Sequence, residues 1–422
     1  MGPALLTEAQ LAGACRALFR KHRVTAFGGT FHVPATKEYS CLFSWDSGYH
    51  ALALMHLDPE DAWAELRALF ASNQTPDGLL AHERPLPGAE ARTDLVVSWL
   101  GPIYRPDGRS WLIDPPVGAF AAACLYQPGD PVDLLEEATN SLAAIDHHRL
   151  LEPLGAPVIL HPLESGADVS PLFDSLIDTS SRRSLLTHHR ALSTHLDAIG
   201  YDLKVANAQG HEFIVSDPIF CGWQLLAIEA LADAWRRAGR SDLATPLDAR
   251  AATLSAAMVA TMWNEGLGLF VGYDHVGGRQ LDVPTLGGII AAASRTMLDC
   301  GINDRVIDRH LTPGKSIFWG DAGISFNPLE GSPIDPKALL WRGDVAWGAT
   351  QYWAYLVLKR GGRDDLAARV RKQTSRLIMQ SGFREFYNAQ SGEGYGAGKV
   401  GEGYGADWAG GFTWPALVMA MI

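Results

Sequence analysis

Residues 217–235 read DPIFCGWQLLAIEALADAW, and this stretch has the pattern of a long helix with a capped start. Asp217 can accept hydrogen bonds from the free amides of a first turn. Pro218 fits that turn because it has no N–H to leave unpaired. The apolar side chains that follow recur at the helical period, as Leu225, Ile228, Leu231 and Trp235.

The same start signals recur along the chain. Thr7-Glu8-Ala9-Gln10 has the form of a capping box and predicts a helix to about His22. Asp58-Pro59 and Asp130-Pro131 predict two further helix starts. A helix is also expected near Asp365, where one apolar face is formed by Leu366, Val370 and Leu377. Roughly ten to twelve helices are expected in all, whereas strand signals are few.

Long segments rich in glycine, proline and aromatic residues separate the predicted helices. Segments of this length in a compact protein usually carry function. Helices alternating with long loops are typical of an all-α toroid with the loops gathered at one end. No linker divides the chain, so a single domain over 1–422 is expected. The loops are predicted at 24–44, 74–116, 151–180, 264–284, 311–340 and 382–411.

Composition excludes several classes of protein. The net charge of -12 argues against a nucleic-acid partner, because phosphate binding needs a basic surface. The longest apolar run, 117–125, is far shorter than the roughly 18 residues of a membrane helix. Five dispersed cysteines are typical of reduced, buried thiols. A cytoplasmic protein that binds a small, neutral or weakly charged molecule is expected.

Two carboxylates are the strongest candidates for chemistry. Asp168 lies in 164–171, ESGADVSP, and Glu385 lies in 383–388, FREFYN. Acid/base cleavage of a glycosidic bond needs one protonated and one ionised carboxyl group. The neighbours Glu164 and Asp174 are expected to raise the pKa of Asp168 by charge crowding. The structural alternatives are a turn aspartate and a surface glutamate paired with arginine.

Thirteen tryptophans provide candidate sugar-stacking surfaces. Trp45 and Asp46 lie side by side in 44–50, SWDSGYH, where a core indole and a helix-capping aspartate are the alternative interpretation. The run 341–347, WRGDVAW, places indoles beside an arginine and an aspartate. A repeated GEGYGA segment, 392–397 and 401–406, is either a surface loop or a flap over a pocket.

Together these motifs resemble glycoside hydrolase family 63, a family of inverting α-glycosidases. The resemblance is carried, in family order, by WDSGYH (45–50), DPPV (114–117), ESGADVSP (164–171), WRG (341–343), EFYN (385–388) and GFTW (411–414). It implies an (α/α)6 barrel with Asp168 as general acid and Glu385 as general base. Glu393 and Glu402, in the repeat, compete for the role of base. The expected sugar-binding residues are Tyr39, Trp45, Asp46, Asp114, Glu164, Trp341, Arg342, Trp347 and Trp414.

The resemblance implies an inverting, exo-acting α-glycosidase for a small α-glucoside or α-mannoside, such as glucosylglycerate, mannosylglycerate or an α-linked disaccharide. No metal or organic cofactor is expected, and no membrane or nucleic-acid partner. A homo-oligomer is compatible with the sequence. Two alternatives stay open: a sugar epimerase or isomerase on an α-toroid, and a non-catalytic sugar-binding protein.

Overall fold

The computed structural model describes residues 7–152, 154–330, 340–397, 404–405 and 411–422. Within these residues the chain is helix-rich. It forms the α-helices α1 (Glu8–His22), α2 (Ser44–Leu54), α3 (Pro59–Asn73), α4 (Glu90–Leu100), α5 (Val117–Leu125), α6 (Asp133–Arg149), α7 (Arg182–Ala198), α8 (Leu203–Ala208), α9 (Pro218–Arg237), α10 (Ser241–Thr261), α11 (Arg295–Asp299), α12 (Ile302–His310), α13 (Gly348–Arg360) and α14 (Asp364–Ser381). The 3₁₀ helices are Pro162–Ser165, Pro171–Phe173, Leu286–Ala293 and Trp414–Ala420.

Short antiparallel strands connect the helices. The strands are β1 (Arg23–Ala26), β2 (Gly29–His32), β3 (Cys41–Phe43), β4 (Glu83–Pro85), β5 (Val215–Ser216), β6 (Trp263–Asn264), β7 (Leu269–Phe270), β8 (Gly272–Asp274), β9 (Arg279–Leu281), β10 (Val345–Trp347), β11 (Phe386–Asn388), β12 (Gly394–Ala397) and β13 (Tyr404–Gly405). They pair as β1-β2, β3-β4, β5-β8-β9, β6-β7 and β10-β11-β12-β13.

The local start signals explain most of the long helices. The side chains of Thr7, Asp58 and Asp217 cap α1, α3 and α9 as predicted, and Thr7 completes a capping box with Gln10. Helix α14 begins at Asp364, and its apolar face is buried as predicted. Because each cap satisfies amides within its own turn, these starts can be identified without knowledge of the tertiary structure.

Two local predictions were wrong. Helix α6 begins at Asp133 rather than after Asp130, because the Asp130 carboxylate accepts a hydrogen bond from the Gln127 amide at 2.7 Å and closes a turn instead. The predicted loop 74–116 contains α4, which begins after Ala89 without a side-chain cap. Helix α4, which is described throughout, has no buried residue and lacks the capping side chain by which the other helix starts were identified.

Six helical elements contact one another in cyclic order and close a ring. Helix α2 contacts α5, α5 contacts α9, and α9 contacts Leu286–Ala293, which contacts α13; Trp414–Ala420 then joins α13 back to α2. Every residue of α2 and of Leu286–Ala293 is buried. A helix that is buried on all sides must be surrounded by other elements. Helices α3, α6, α10, α12 and α14, each with one buried face, pack outside the ring.

Strands lead directly into the N-termini of two ring helices. Strand β3 ends at Phe43, directly before α2 begins at Ser44, and β10 ends at Trp347, directly before α13 begins at Gly348. Strand β10 pairs with β11 so that Trp347 lies opposite Phe386, the residue after Glu385. The N-terminal ends of these ring helices therefore meet the segments that carry the candidate site residues.

The first copy of the repeated segment forms a strand of the same sheet. Strand β12 pairs with β11 and with β13, so the two copies pair with each other through Gly396 and Gly405. Residues 401–403 and 406 of the second copy lie outside the described residues. The first copy is thus a sheet strand rather than an irregular surface loop.

Two remaining sequence expectations can be compared with the described residues. No helix among them combines the length and the apolar character needed to cross a bilayer. Three of the five cysteines are buried thiols as expected, whereas Cys124 is half-buried and Cys300 is exposed.

Candidate active site

A cavity of about 610 Å³ opens where the strand-to-helix junctions meet. Both Asp168 and Glu385 line it, although they are separated by more than half of the chain. It is also lined by six of the predicted sugar-binding residues, which are Tyr39, Trp45, Asp46, Trp341, Trp347 and Trp414. The structure thus brings the two candidate carboxylates to one cavity.

Four indoles form a continuous wall of this cavity. The rings of Trp341 and Trp347 stack with centroids 4.3 Å apart, and those of Trp45 and Trp414 meet edge to face at 5.0 Å. Trp347 and Trp414 connect the two pairs at 5.5 Å. All four side chains are almost fully buried, so each indole is held by its neighbours. Fixed aromatic faces of this kind suit the apolar C–H faces of a pyranose ring.

Asp168 lies in a turn between two 3₁₀ helices and faces the cavity. Gly166 makes this turn possible, because its φ is +74° and a Cβ atom there would lie 2.3 Å from the Trp45 ring. Burial raises the pKa of Asp168 to about 6, although the charge of His82 lowers it in part. A carboxyl group that keeps its proton close to neutral pH is suited to general-acid catalysis.

Glu385 directly precedes β11 and is almost fully buried at the cavity wall. Its Oε1 accepts a hydrogen bond from the Tyr39 hydroxyl at 2.7 Å. Tyr39 is held in turn by the rings of Phe43 and Phe412, with centroids 6.1 and 5.7 Å away. A hydrogen bond donated to a carboxylate favours its ionised form, which is the form a general base requires.

Asp46 lies in the first turn of α2, next to the pair formed by Trp45 and Trp414. Its Oδ1 accepts a hydrogen bond from Trp414 Nε1 at 2.6 Å. Burial, together with the nearby charge of Asp114, raises the pKa of Asp46 to about 8. At neutral pH Asp46 is therefore mostly protonated, and it can donate a hydrogen bond to a sugar hydroxyl.

The structure places Asp114 behind the cavity wall rather than on it. Asp114 Oδ2 accepts a hydrogen bond from the Trp45 amide at 3.2 Å, and Oδ1 contacts His82 Nδ1 at 2.5 Å. Burial would lower the pKa of His82, but Asp114 outweighs it and raises that pKa to about 9. Asp114 therefore fixes the start of α2 and holds a charged His82, which corrects the expectation that it contacts the sugar.

Glu164 and Arg342 also lie off the cavity wall. Glu164 is fully buried, where it pairs with Arg149 at 2.7 Å and accepts the Leu160 amide at 2.7 Å. Arg342 pairs with Asp174. The expectation that both residues line the sugar pocket is thereby corrected. Because both acids near Asp168 are paired with arginine, its pKa is raised by burial and not by charge crowding.

Several lining groups were missed at the level of sequence. Glu83, at the start of β4, faces the cavity and is held by Arg92 at 2.8 Å and by the Tyr104 hydroxyl. Burial would raise the pKa of Glu83, but Arg92 and His82 outweigh it and lower that pKa. No motif surrounds these residues, and their partners become neighbours only after folding.

The competing base candidates in the repeat differ from Glu385. Glu393 is exposed, lies off the cavity wall, and accepts a hydrogen bond from the Tyr395 hydroxyl at 2.7 Å. Glu402 lies outside the described residues. Of the two glutamates that the structure describes, Glu385 lies on the wall and Glu393 does not.

An indole-walled cavity that holds two carboxyl groups of different character is the arrangement expected of a glycoside hydrolase. The family model described as "Mannosylglycerate hydrolase MGH1-like glycoside hydrolase domain" matches residues 39–414. The chain therefore belongs to this family, within glycoside hydrolase family 63.

Curated relatives agree with this assignment. The mannosylglycerate hydrolase of Rubrobacter radiotolerans is 26% identical, with 87% of this chain and 90% of the relative covered. That of Thermus thermophilus is 25% identical, with 87% and 93% covered. These matches favour a hydrolase over the epimerase and the binding protein that the sequence left open.

Solved structures share the fold. The GH63 mannosylglycerate hydrolase of Thermus thermophilus in complex with Tris superposes with a TM-score of 0.76 at 22% identity, covering 97% of this chain and 99% of that one. Neutral trehalase Nth1 of Saccharomyces cerevisiae superposes with a TM-score of 0.55 at 15% identity, covering 93% of this chain and 73% of that one. At these identities the likeness concerns the fold alone.

Proposed function

We propose that the chain is an inverting, exo-acting α-glycosidase that hydrolyses a small α-glucoside or α-mannoside. The observation that carries this proposal is that Asp168 and Glu385 line one cavity. The closed ring of helices is, on this proposal, an (α/α)6 barrel that forms one domain. The α-mannoside follows from the relatives, which are named for mannosylglycerate hydrolysis, and the α-glucoside follows from the family resemblance.

The reaction uses the two carboxyl groups on opposite faces of the sugar. Asp168 donates its proton to the glycosidic oxygen as the bond from that oxygen to the anomeric carbon breaks. Glu385 removes a proton from a water molecule whose oxygen bonds to the same carbon from the other face. The configuration inverts in this single displacement, which requires carboxyl groups about 6.5–9.5 Å apart. No metal or organic cofactor takes part.

The surrounding residues prepare these groups. Burial keeps Asp168 protonated toward neutral pH, and the Tyr39 hydroxyl favours the ionised form of Glu385. The indole wall binds the C–H face of the ring, and protonated Asp46 donates to one of its hydroxyls. An oxocarbenium-like transition state is favoured by the nearby ionised carboxylates.

The first experiment follows product configuration and leaving-group dependence. Proton NMR of fresh product from an α-glycoside should show the β-anomer first; an α-anomer first would refute inversion. Asp168→Asn should lower kcat/KM about 10²–10⁴-fold for an alkyl leaving group. The loss should be much smaller for a glycosyl fluoride, which departs with little protonation.

Asp46→Ala serves as the control at a second aspartate on the same wall. It removes the hydrogen bond to the sugar ring, which an asparagine would keep because its amide also donates, so its loss should be similar for both leaving groups. Equal losses for the two leaving groups in Asp168→Asn would show that Asp168 is not the acid.

A further inference from the structure

One side of the cavity is apolar to an extent that the sugar ring does not explain. Helices α4 and α7 each turn one face toward it. On α4 this face consists of Leu95, Val96, Trp99 and Leu100, and on α7 of Leu185 and Leu186. Leu163 and Val169, which flank Asp168 in sequence, complete the surface. These residues are called the α4–α7 wall below.

The α4 part of the α4–α7 wall remains partly open, whereas Leu185 and Val169 are buried. Its four α4 side chains are half-buried, and α4 has no buried residue. The charged side chains of α4 and α7 that line the cavity are Arg92, which is paired with Glu83 at 2.8 Å, and Arg182. Arg182 lies over the Trp99 ring at 5.8 Å, and burial lowers the pKa of His189 to about 3, so that histidine is neutral. A ligand that covers this wall would gain mainly by removing apolar surface from water.

The wall lies on the Asp168 side of the cavity. His161, which begins the Asp168 segment, packs its ring against His189 of α7 at 4.9 Å. Leu163 of the same segment belongs to a cluster with Val96 and Leu100 of α4. A general acid protonates the leaving oxygen, so the leaving group must lie on the side of the acid.

We propose that the α4–α7 wall is a subsite for an apolar leaving group, either an aryl group or an alkyl chain of several carbons. The proposal rests on the function proposed above, because it takes Asp168 as the proton donor. A three-carbon acid such as glycerate would leave most of this wall in water. The natural substrate is on this basis an α-glycoside of an apolar alcohol or phenol.

Binding to the Asp168→Asn variant tests the subsite without turnover. Calorimetry should be run with methyl, butyl and octyl α-mannosides and with the corresponding α-glucosides. The dissociation constant should fall about two- to fourfold for each added methylene until the wall is covered, as expected for burial of CH₂ groups. A dissociation constant independent of chain length would overturn the proposal, and so would tighter binding of mannosylglycerate than of the octyl glycosides.

Two adjacent valines of α4 provide a matched pair of variants. Val96 lines the cavity, whereas Val97 points away from it and is 37% exposed. Val96→Ser should weaken octyl-glycoside binding about threefold to fivefold, and Val97→Ser should leave it within twofold. Trp99→Ala should weaken it about tenfold. Methyl-glycoside binding should stay within twofold in all three variants; equal effects in Val96→Ser and Val97→Ser would reject the assignment of the wall.

The outcomes separate this proposal from the general one. If methyl and octyl glycosides are hydrolysed and bound equally well, the glycosidase stands and the apolar subsite falls. If the wild type hydrolyses no α-glycoside of the series and the variant binds none, both proposals fall.

Discussion

We expect Glu65 to contribute more to the unfolding free energy than the exposed acidic residues of the same helix, α3. It projects from α3 and is fully buried. Its Oε2 accepts hydrogen bonds from the His32 amide at 2.8 Å and from His32 Nδ1 at 2.7 Å. Its Oε1 accepts from His50 Nδ1 at 3.0 Å, and His50 Nε2 contacts Thr413 Oγ1 at 2.7 Å. The carboxylate thus connects an outer helix to the residue that precedes Trp414.

The pKa of Glu65 sets the size of the effect. Burial alone would raise it, but the hydrogen bonds from His32 and His50 outweigh burial and lower it from 4.5 to about 2. That difference of about 2.5 corresponds to roughly 3 kcal/mol of unfolding free energy. Because the folded-state pKa is depressed, this contribution is present above about pH 4.5 and is lost as the pH falls toward 2.

Glu65→Gln should therefore lower Tm at pH 7 by about 3–4 °C, given the unfolding entropy of a chain of this length. The difference in Tm between Glu65→Gln and the wild type should shrink to about half near pH 3, because the wild type has then lost much of the stabilisation that ionised Glu65 provides. Scanning calorimetry from pH 7 to 3 measures both the loss of Tm at pH 7 and its decrease at lower pH. Activity should fall several-fold, because Thr413 precedes the indole that bonds Asp46.

Glu60→Gln, at an exposed position of the same helix, is the control and should shift the unfolding free energy by less than about 0.5 kcal/mol. A Glu65→Gln variant with the Tm of the wild type, or with an unchanged gap at pH 3, would refute the reasoning.

Three further predictions concern the site. Above about pH 6, kcat/KM should fall about tenfold per pH unit, because Asp168 with a pKa of about 6 must be protonated; a flat profile to pH 8 would contradict this. Tyr39→Phe should lower kcat/KM about 10- to 100-fold, the value of a hydrogen bond to a charged group, with Tm within about 2 °C; full activity would show that the hydroxyl is dispensable. Gly166→Ala should lower the unfolding free energy by about 2 kcal/mol more than Gly210→Ala. The two glycines have nearly the same φ, +74° at Gly166 and +72° at Gly210, but only at Gly166 would the new Cβ clash with an indole. Equal losses of Tm in the two variants would exclude the clash.

Sequence reasoning succeeded where the interaction is local. Asp58 and Asp217 cap helices through amides two or three residues away, so their role can be inferred from neighbours in the sequence. The helix start predicted at Asp130 was wrong because aspartate also closes turns, and here the Asp130 carboxylate accepts a hydrogen bond from the Gln127 amide. The prediction missed α4 for a different reason: this helix begins after Ala89 without a capping side chain, so the local start signal is missing.

The site was predicted in part for the same reason. The motif positions of Asp168 and Glu385 led to one cavity, as the resemblance implied. Arg342 shares a motif with Trp341, yet it pairs with Asp174, which is 168 residues away in the sequence. Adjacency in the sequence shows which residues lie in the same segment of the fold, but not the direction in which each side chain points. Pairings of this kind arise only from the tertiary structure.

The carboxyl groups of the cavity differ in charge because each has a different partner. Glu83 is ionised since it pairs with Arg92, and Asp46 keeps its proton since burial and the nearby Asp114 oppose a further negative charge. Neither an arginine nor an acid shifts the pKa of Asp168; burial raises it to about 6 against the smaller, opposing effects of His82 and two backbone hydrogen bonds. It is therefore the group whose proton is both held and readily given up near neutral pH. Asp168 and the α4–α7 wall line the same cavity, so on the proposals above the proton donor and the apolar leaving group meet in one space.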